Sequence, residues 1–403
     1  MKTSFGWTLL SREALKNAEA HLREHTQGVR DEVGFLALHQ AYADRFFPGT
    51  SVLQTRLRYA LFVPWIYERL LARPPAERAD RAVEREEVQL AGRLKKSNAE
   101  NIIGGRNYPE PTSQPPTLVY WTALGTWGIL RPLLGQLPSR ATIHQLLVRR
   151  REAHRQIDDD KQPLDQGKRP FGSIPQPPKD WDEVSKPLTF ALAREERIYL
   201  KLLLSAVMRP GAGGCQSLLA RLAERGTSVG KSPFPWVAAI QAEADAEDRA
   251  ALERASKAAA LSAVGRAVYA AMVEEIRESD GIETADTHRE HLAAIVPTYK
   301  HAALALDPDQ LAEDSPDLAR ASIVEILKST QNWLRRGGNY LQLRDLYAKA
   351  ESARKGGRAR LPRTPSARRK RVEWTPDKHT LAAPIHYRWD KVTRLLGDLR
   401  GDS

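Results

Sequence analysis

The chain has 403 residues, of which 41% are hydrophobic and 28% are charged, and its formal net charge is +12 at pH 7. This length predicts about two or three domains with buried cores, and the single cysteine, Cys215, excludes an internal disulfide and fits a reducing cytoplasm. We find no signal peptide and no window of about 18 uncharged apolar residues, so we expect a cytoplasmic protein without a membrane-spanning segment.

The first two predicted helices cover residues 11–25 and 33–46. His21, Glu24 and His25 match the pattern H-x-x-E-H, in which two histidines one turn apart bind zinc and the glutamate activates a water. The other interpretation is that these histidines complement the dipole at the end of a charged helix. No third ligand is marked, so we predict no metal and no cofactor, although whether these three residues bind a metal stays open.

The stretch 46–69 contains a predicted helix that is apolar on most of its circumference. Pro48-Gly49 indicates a turn, and Ser51 followed by Gln54 predicts a capping box that opens a helix, which Pro64 then ends or kinks. This helix should lie in the middle of its domain. Arg56 and Arg58 fall inside it, and each needs an acidic partner, an opening to solvent or a bound anion. We therefore predict a structural or anion-binding role for both arginines.

A charged amphipathic helix is predicted over residues 76–96, with Glu84, Glu86 and Glu87 directed outward. Beyond it, an apolar stretch at 118–130 and a helix at 141–154 ending in basic residues outline a possible helix-turn-helix at 117–154. The same pattern also fits two packed helices with a solvated basic end. If the unit binds DNA, its contact residues are Arg149, Arg150 and Arg151.

Residues 156–187 are rich in proline, glycine and aspartate and are predicted to form a linker. We accordingly expect an N-terminal helical domain at 1–155, a second helical domain at 188–350, and a basic arm with a terminal helix at 351–403. Helical periodicity recurs throughout the second domain and period-two alternation is rare, so the predicted fold class is mainly α and multi-helical. Its predicted helices cover residues 190–208, 216–224, 243–278 (one long helix or a pair), 287–306, 316–335 and 340–350.

Much of the net charge comes from one tract. Residues 354–371 contain nine basic and no acidic side chains, so they contribute +9 of the +12. The mixture of Gly, Arg and Pro predicts a flexible arm that contacts phosphates or a minor groove. A solubilising connector, or a segment that meets an acidic protein, is the alternative. The predicted nucleic-acid contacts in this tract are Arg354, Lys355, Arg358, Arg360, Arg363, Arg368, Arg369, Lys370 and Arg371.

The chain closes with an aromatic cluster, His386 to Trp389, and an amphipathic helix at 390–399. This composition is unusual for an unstructured tail. We expect the terminal helix to pack onto a folded domain.

Several short motifs occur together: Phe5-Gly6-Trp7, the segment from Phe47 to Tyr67, Gly104 to Arg106, Tyr120-Trp121 and Tyr387-Arg388-Trp389. In this combination the chain resembles an uncharacterised bacterial family known as a domain of unknown function. The resemblance is densest up to about residue 131. It implies a nucleic-acid context, with genes that lie beside helicase, nuclease or methylase genes in phage-defence regions, and it assigns no catalytic residue.

No phosphate-binding loop and no nucleophile elbow is present, and Cys215 has no evident histidine partner, so it is expected to be a small core residue. We therefore expect a nucleic-acid-binding, non-catalytic component of a bacterial anti-phage defence system, with DNA and other defence proteins as partners. Two alternatives remain open. The chain could be a scaffold for helicase or nuclease subunits, or a DNA-processing enzyme whose site residues are scattered along the sequence.

Overall fold

A computed structural model describes residues 32–155, 169–228, 230, 232–319 and 323–402. These residues are mainly α-helical, and their only β-structure consists of isolated antiparallel bridges such as Leu130 with Phe171. The mainly α, multi-helical fold predicted from the sequence is therefore confirmed. The predicted helix that carries His21, Glu24 and His25 lies outside the described residues.

The chain divides into two compact units, and neither is continuous in sequence. The first unit consists of residues 1–41 and 254–385, of which the described part begins at residue 32, and the second consists of residues 42–253 and 386–403. The predicted linker at 156–187 is described from residue 169 onward, and this part belongs to the second unit. The predicted boundaries around that linker stay a prediction.

The second unit contains the end of α1 (Phe35–Phe46), the start of α10 (Ala246–Ser279), and the helices between them in sequence. It also contains the last helix of the chain. Its further helices are α2 (Tyr59–Ala72), α3 (Ala79–Lys96), α4 (Pro116–Val119), α5 (Trp121–Thr126), α6 (Arg140–Arg155), α7 (Arg194–Ser205), α8 (Leu218–Arg225), α9 (Ala238–Gln241) and α17 (Trp389–Arg400).

The first unit contains the start of α1 and most of α10, together with the helices that follow α10 up to residue 385. Short 3-10 turns precede several of them. These helices are α11 (Thr287–Leu304), α12 (Leu311–Asp314), α13 (Pro316–Ala319), α14 (Ile323–Arg336), α15 (Arg344–Lys355) and α16 (Pro365–Val372).

Helix α2 lies in the core of the second unit, as its apolar circumference predicts. Every side chain from Tyr59 to Tyr67 is buried, and the ring of Phe62 stacks on that of Trp181 with 5.9 Å between centroids. The helix continues through Pro64 and ends eight residues later, so this proline does not terminate it. The packing of the surrounding aromatic rings holds the helix where the sequence alone indicates a break.

The prediction that this helix begins at Ser51 is wrong, because α2 begins at Tyr59. Ser51 and Gln54 do form local contacts: Ser51 N donates to Gln54 Oε1 (3.2 Å) and Leu53 N donates to Ser51 Oγ (3.3 Å). The next amide groups, however, donate to distant side chains. The Tyr120 hydroxyl accepts from Thr55 N and from Arg56 N, and residues 51–58 are thereby held in turns.

Helix α10 is a single helix of 34 residues and confirms the alanine-rich helix predicted at 243–278. It is buried on nearly all sides from Ala255 to Ile276. Gly265 allows the closest approach: a methyl group added there would lie 2.3 Å from the ring of Phe35. Small residues on α10 therefore set how closely its neighbours pack in the first unit.

In helix α3, two glutamates that the sequence places on the solvent-exposed face are buried instead. Glu86 and Glu87, expected to face solvent, are 8% and 7% exposed, and Glu86 forms an ion pair with Arg69. The buried face of α3 is wider than its apolar residues indicate, because Glu86 and Glu87 find polar partners inside the unit. Cys215, expected in the core, is exposed.

The C-terminal helix packs onto a folded unit, as predicted. Trp389 is fully buried and its Nε1 donates to Ser232 O (3.0 Å), and Arg388 pairs with Asp44 (2.7 Å). Among the described residues, no helix is long and apolar enough to cross a membrane.

Candidate functional site

The basic tract at 354–371 is not the flexible arm that its composition predicts. It begins in the last turn of α15, passes through a short 3-10 turn at Gly356–Arg358, and ends inside α16. Thr364 caps α16 by accepting from Ala367 N (3.2 Å), and Pro365 occupies its first turn. The tract is therefore a folded part of the first unit.

Buried carboxylates hold the first half of the tract in place. Glu32, which is 3% exposed, forms ion pairs with Lys355 and with Arg360. Glu351 is fully buried and accepts from the backbone amides of Arg360 (2.9 Å) and Leu361 (2.8 Å) and from the hydroxyl of Tyr269 (2.6 Å). These acidic partners lie at a distance in sequence or on the buried face of α15, so composition alone could not reveal them.

Arg371 holds the second half of the tract. It is 2% exposed, and its Nη2 lies 2.6 Å from Asp280 Oδ2, while its Nη1 donates to the carbonyl oxygens of Arg360 and Pro362. Lys370 pairs with Glu373 on the surface (2.7 Å). In the described part of the chain, carboxylate partners are present for four of the predicted contact residues: Lys355, Arg360, Lys370 and Arg371.

The other five basic residues of the tract are exposed: Arg354, Arg358, Arg363, Arg368 and Arg369. The guanidinium group of Arg354 lies against the backbone of Gly34, and that of Arg368 donates to Asp280 O (3.1 Å). Within the described part of the chain, no carboxylate lies within 4 Å of Arg363, Arg368 or Arg369. We call these three residues the exposed arginine group.

Positive charge is concentrated around this group. Arg344, at the start of α15, has a pKa lowered first by burial and then by the neighbouring charges of Arg363 and Arg371. Cations held close together repel one another, and a bound anion would relieve that repulsion. Asp345 and Asp280 partly offset this repulsion, so Arg344 and Arg363 are neighbouring cations in a cluster of mixed charge.

The second predicted basic site, Arg149 to Arg151, lies near the end of α6 in the second unit. Arg149 is exposed, whereas Arg151 donates to Ala76 O (3.0 Å) and Arg150 makes a long contact with Leu71 O (3.4 Å). The segment before α6 contains only the short helices α4 and α5. The helix-turn-helix interpretation of 117–154 and the alternative of packed helices both stay predictions.

Arg56 and Arg58 have acidic partners in the second unit. Arg56 Nη2 lies 2.8 Å from Asp398, whose Oδ2 also accepts from Leu57 N (2.7 Å), and Arg58 Nη2 lies 2.7 Å from Glu196. Each guanidinium group also faces an aromatic ring, Phe190 for Arg56 and Phe62 for Arg58. Of the alternatives left open by the sequence, the structure thus provides carboxylate partners for both.

A second candidate site, which the sequence did not indicate, is a cleft of about 310 Å³ between α3, the loop before α4, and the start of α6. Glu87, Arg140 and His144 contribute polar groups to its lining. Glu87 Oε1 accepts from Thr117 N (2.9 Å), and the hydroxyl of Tyr67 shares a hydrogen bond with His144 Nε2 (3.2 Å). These residues are far apart in sequence, and no short motif joins them.

Burial sets the charge states in this cleft. It raises the pKa of Glu87 to about 7 and that of Tyr67 to about 12, and it lowers the pKa of His144, with the charge of Arg140 as a further cause. No group of three or more histidine, cysteine or acidic residues in the described ranges is arranged to hold a metal ion.

Residues 5–299 match a family of unknown function, DUF6361. The chain belongs to this family. The match includes the motifs at Phe5-Gly6-Trp7, at Phe47 to Tyr67 and at Tyr120-Trp121, so the resemblance to an uncharacterised family is confirmed, whereas the association with phage defence stays a prediction. No curated protein and no solved structure matches the chain.

The family match ends at residue 299, and the exposed arginine group lies beyond it. The cleft around Glu87 lies within it. Of the two candidate sites, the cleft therefore lies inside the part of the chain that matches the family, and the exposed arginine group lies outside it.

Proposed function

We propose that this protein binds nucleic acid through the phosphate backbone, with Arg363, Arg368 and Arg369 as its principal contacts and without catalysing a reaction. The observation that supports this proposal is the exposed arginine group itself. Three arginines without a carboxylate within 4 Å in the described part of the chain lie on a tract in which Lys355, Arg360, Lys370 and Arg371 form internal ion pairs. A folded support reduces the entropy that each side chain loses when it binds a phosphate.

Binding of this kind depends on the salt concentration. Each phosphate that is neutralised releases condensed counterions, and three contacts predict a slope of roughly −2.7 for log K against log [salt] on duplex DNA. Phosphate contacts carry little sequence information, so we expect weak discrimination between sequences. Arg149 is exposed on the second unit and is a further candidate contact.

The decisive experiment compares the wild type with the variant R363Q/R368Q/R369Q in salt titrations of binding to duplex and single-stranded DNA. A matched control variant, R73Q/R106Q/K201Q, removes the same three charges from exposed positions of the second unit. We expect the first variant to lose about 2.7 from the magnitude of the slope and the control to stay close to the wild type.

Equal losses in the two variants would mean that net charge alone attracts DNA, and the assignment to the exposed arginine group would then be wrong. Salt-independent binding by the wild type would contradict the proposal as a whole. Parallel titrations with RNA of the same length distinguish DNA from RNA as the preferred partner.

The role in a bacterial anti-phage defence system is also a proposal, and the predicted nucleic-acid context supports it. A partner among other defence proteins would be tested by purifying the protein from its own host with the neighbouring gene products. Recovery of a stable complex that survives nuclease treatment would support a defence assembly, because such a complex does not depend on shared DNA.

A second candidate function is a scaffold for other protein subunits, and an exposed apolar surface on α7 favours it. Ile198 and Leu202 lie one turn apart on this helix and are 59% and 69% exposed. Large exposed apolar side chains at such spacing are frequent where another helix binds. I198S/L202S would abolish capture of such a partner and leave DNA binding unchanged.

A further inference from the structure

The cleft between α3 and α6 in the second unit has a mainly apolar wall and polar groups at a few positions. Val83, Val88 and Ile103 contribute to the wall, and the ring of Tyr108 packs against Gly92 so closely that an added methyl group would lie 2.6 Å from it. A volume of about 310 Å³ is enough for a small organic molecule. This cleft is separate from the exposed arginine group and independent of the nucleic-acid proposal.

The unusual group in the cleft is Glu87. It is 7% exposed, and in the described part of the chain no cation lies within 4 Å of its carboxylate. Its one hydrogen bond of ordinary geometry comes from the backbone amide of Thr117. Arg140 lines the same cleft and acts on Glu87 only from beyond 4 Å, and a buried carboxylate without a cation in contact is costly unless a ligand supplies the missing charge or donors.

The charges that line the cleft have an acidic excess, although the chain as a whole is basic. Asp80, Glu84, Glu87 and Glu110 line it, against the single cation Arg140. Asp80 and Glu84 form surface ion pairs with Arg78 and Arg81 respectively. Glu110 is exposed, so Glu87 is the most buried of the four and the one whose charge is screened least by solvent.

We propose that this cleft binds a small aliphatic cation, an amine or a guanidine on a short hydrocarbon chain, with the cationic group against Glu87 and the hydrocarbon chain against the apolar wall. Ion pairing and hydrogen bonding with the carboxylate would satisfy the buried charge of Glu87. The valine and isoleucine side chains would bury the hydrocarbon part.

The protonation state of Glu87 gives this site a characteristic pH dependence. Because the pKa of Glu87 is raised to about 7, its carboxyl group is largely neutral at pH 6 and largely ionised at pH 8. Of the other groups that face it, Asp80 and Glu84 on α3 and Glu110 on the loop are acids near the surface, Arg140 on α6 is a cation, and burial lowers the pKa of His144. Tyr67 on α2 keeps its proton, since its pKa is about 12.

The experiment measures binding of n-butylguanidinium to the full chain by isothermal titration calorimetry at pH 8, with n-butylurea as the uncharged ligand of the same shape. We expect saturable binding of one n-butylguanidinium per chain, and binding of n-butylurea that is at least about tenfold weaker. Lowering the pH from 8 to 6 should weaken the binding of the cation by roughly tenfold, since most Glu87 then carries a proton.

Glu87→Gln should reduce the affinity for n-butylguanidinium by about tenfold, or about 1.4 kcal/mol, and remove the pH dependence, because the amide keeps its oxygen acceptor and loses the charge. The matched control is Glu100→Gln, an exposed glutamate of the same unit that does not line the cleft, and it should bind as the wild type does.

If E87Q does not fold, the pH profile of the wild type still tests the assignment. Equal affinity for n-butylguanidinium and n-butylurea would show that the cleft selects an apolar chain only and would overturn the proposal. Absence of binding at millimolar concentration, or cation binding that does not change between pH 6 and pH 8, would overturn it as well. None of these results depends on DNA binding.

Discussion

Arg58 is a buried cation whose charge is balanced by one carboxylate. Its side chain is 8% exposed and that of its partner Glu196 is 4% exposed, and its Nη1 also donates to Thr189 O (2.8 Å). Since the guanidinium group lies over the rings of Phe62 and Trp65, its replacement by a methionine of similar length keeps much of the apolar packing. The loss of charge can therefore be separated from the loss of volume.

We predict that Arg58→Met lowers the free energy of unfolding by about 3–5 kcal/mol, because it leaves Glu196 buried without a counter-ion. Urea denaturation followed by circular dichroism measures the change. R58M/E196Q should recover part of the loss, since the amide carries no charge and can still accept from Ala193 N as Glu196 does. A double variant that is less stable than R58M would contradict this explanation.

The raised pKa of Glu87 predicts an effect on folding stability as well as on ligand binding. Its folded-state pKa, about 7, is above the ordinary value of 4.5, so the folded state binds the proton more tightly than the unfolded chain. Folding therefore becomes less favourable as the pH rises from about 4.5 to about 7, by up to about 3 kcal/mol for this group. The loss is complete above pH 7 and absent below pH 4.

We expect Glu87→Gln to be more stable than the wild type at pH 8, by up to about 3 kcal/mol, and to differ from it by less than about 1 kcal/mol at pH 5. Paired urea melts at the two pH values measure this difference. Other buried carboxyl groups, such as Glu274 and Glu351, also have raised pKa values, but they are common to both chains and do not enter the comparison. A gain of equal size at both pH values would show that the effect does not come from ionisation.

At the scale of elements, two helical glycines offer a matched pair of substitutions. Gly265 in α10 faces the fully packed ring of Phe35, whereas nothing lies within 4 Å of a methyl group added to Gly397 in α17. Alanine is the better helix former at both positions by about 1 kcal/mol. At Gly265 the substitution must displace a buried ring, and overpacking of this kind costs about 1–3 kcal/mol.

We therefore predict that Gly265→Ala lowers the free energy of unfolding by up to about 2 kcal/mol and that Gly397→Ala raises it by about 0.5–1 kcal/mol. Thermal denaturation of the two variants beside the wild type tests both signs. Stabilisation by G265A would mean that Phe35 moves without cost and that α10 is less tightly packed than the structure indicates.

The sequence predicts which segments are helical much better than where the helices begin and which polar residues they bury. Periodicity located α3, α10, α11 and α17 within a few residues. The start of α2 was missed because the hydroxyl of Tyr120 and the carboxylate of Asp398 occupy the amides of residues 55–57. Those partners are separated from the helix by 64 residues or more, and no local signal records them.

For the candidate sites too, the sequence predicted one part and missed another. The charge of the tract at 354–371 was evident from composition, but its folding was not, because Glu32 and Asp280 lie far from it in sequence. The sequence analysis did not find the cleft around Glu87, because the pattern of this helix places the glutamate on a solvent-exposed face. Only the buried setting beside Thr117 and Tyr67 gives it an unusual pKa.

For the whole molecule, the discontinuous arrangement of the second unit gives the C-terminal segment a structural role. Residues 386–402 supply Asp398 to Arg56 and to Leu57 N, and Arg388 to Asp44. The pair between Arg56 and Asp398 joins residues 342 positions apart in the chain. A long loop must close before contacts over such separations can contribute, and this closure carries an entropic cost.

We predict that deletion of residues 386–403 removes the protection of the second unit against hydrogen exchange, with the largest loss in α2, while α14 in the first unit stays protected. The reason is that the deletion leaves Arg56 and the amide of Leu57 without the carboxylate of Asp398 and exposes the pocket that Trp389 fills. Deletion of residues 401–403 alone is the matched control and should change little. Asp398→Asn, a milder change that keeps the shape of the side chain, should lower stability by about 1–3 kcal/mol. If α2 keeps its protection after the longer deletion, the C-terminal helix is an accessory to the second unit, and the core around Phe62 and Trp181 is sufficient to hold that unit together.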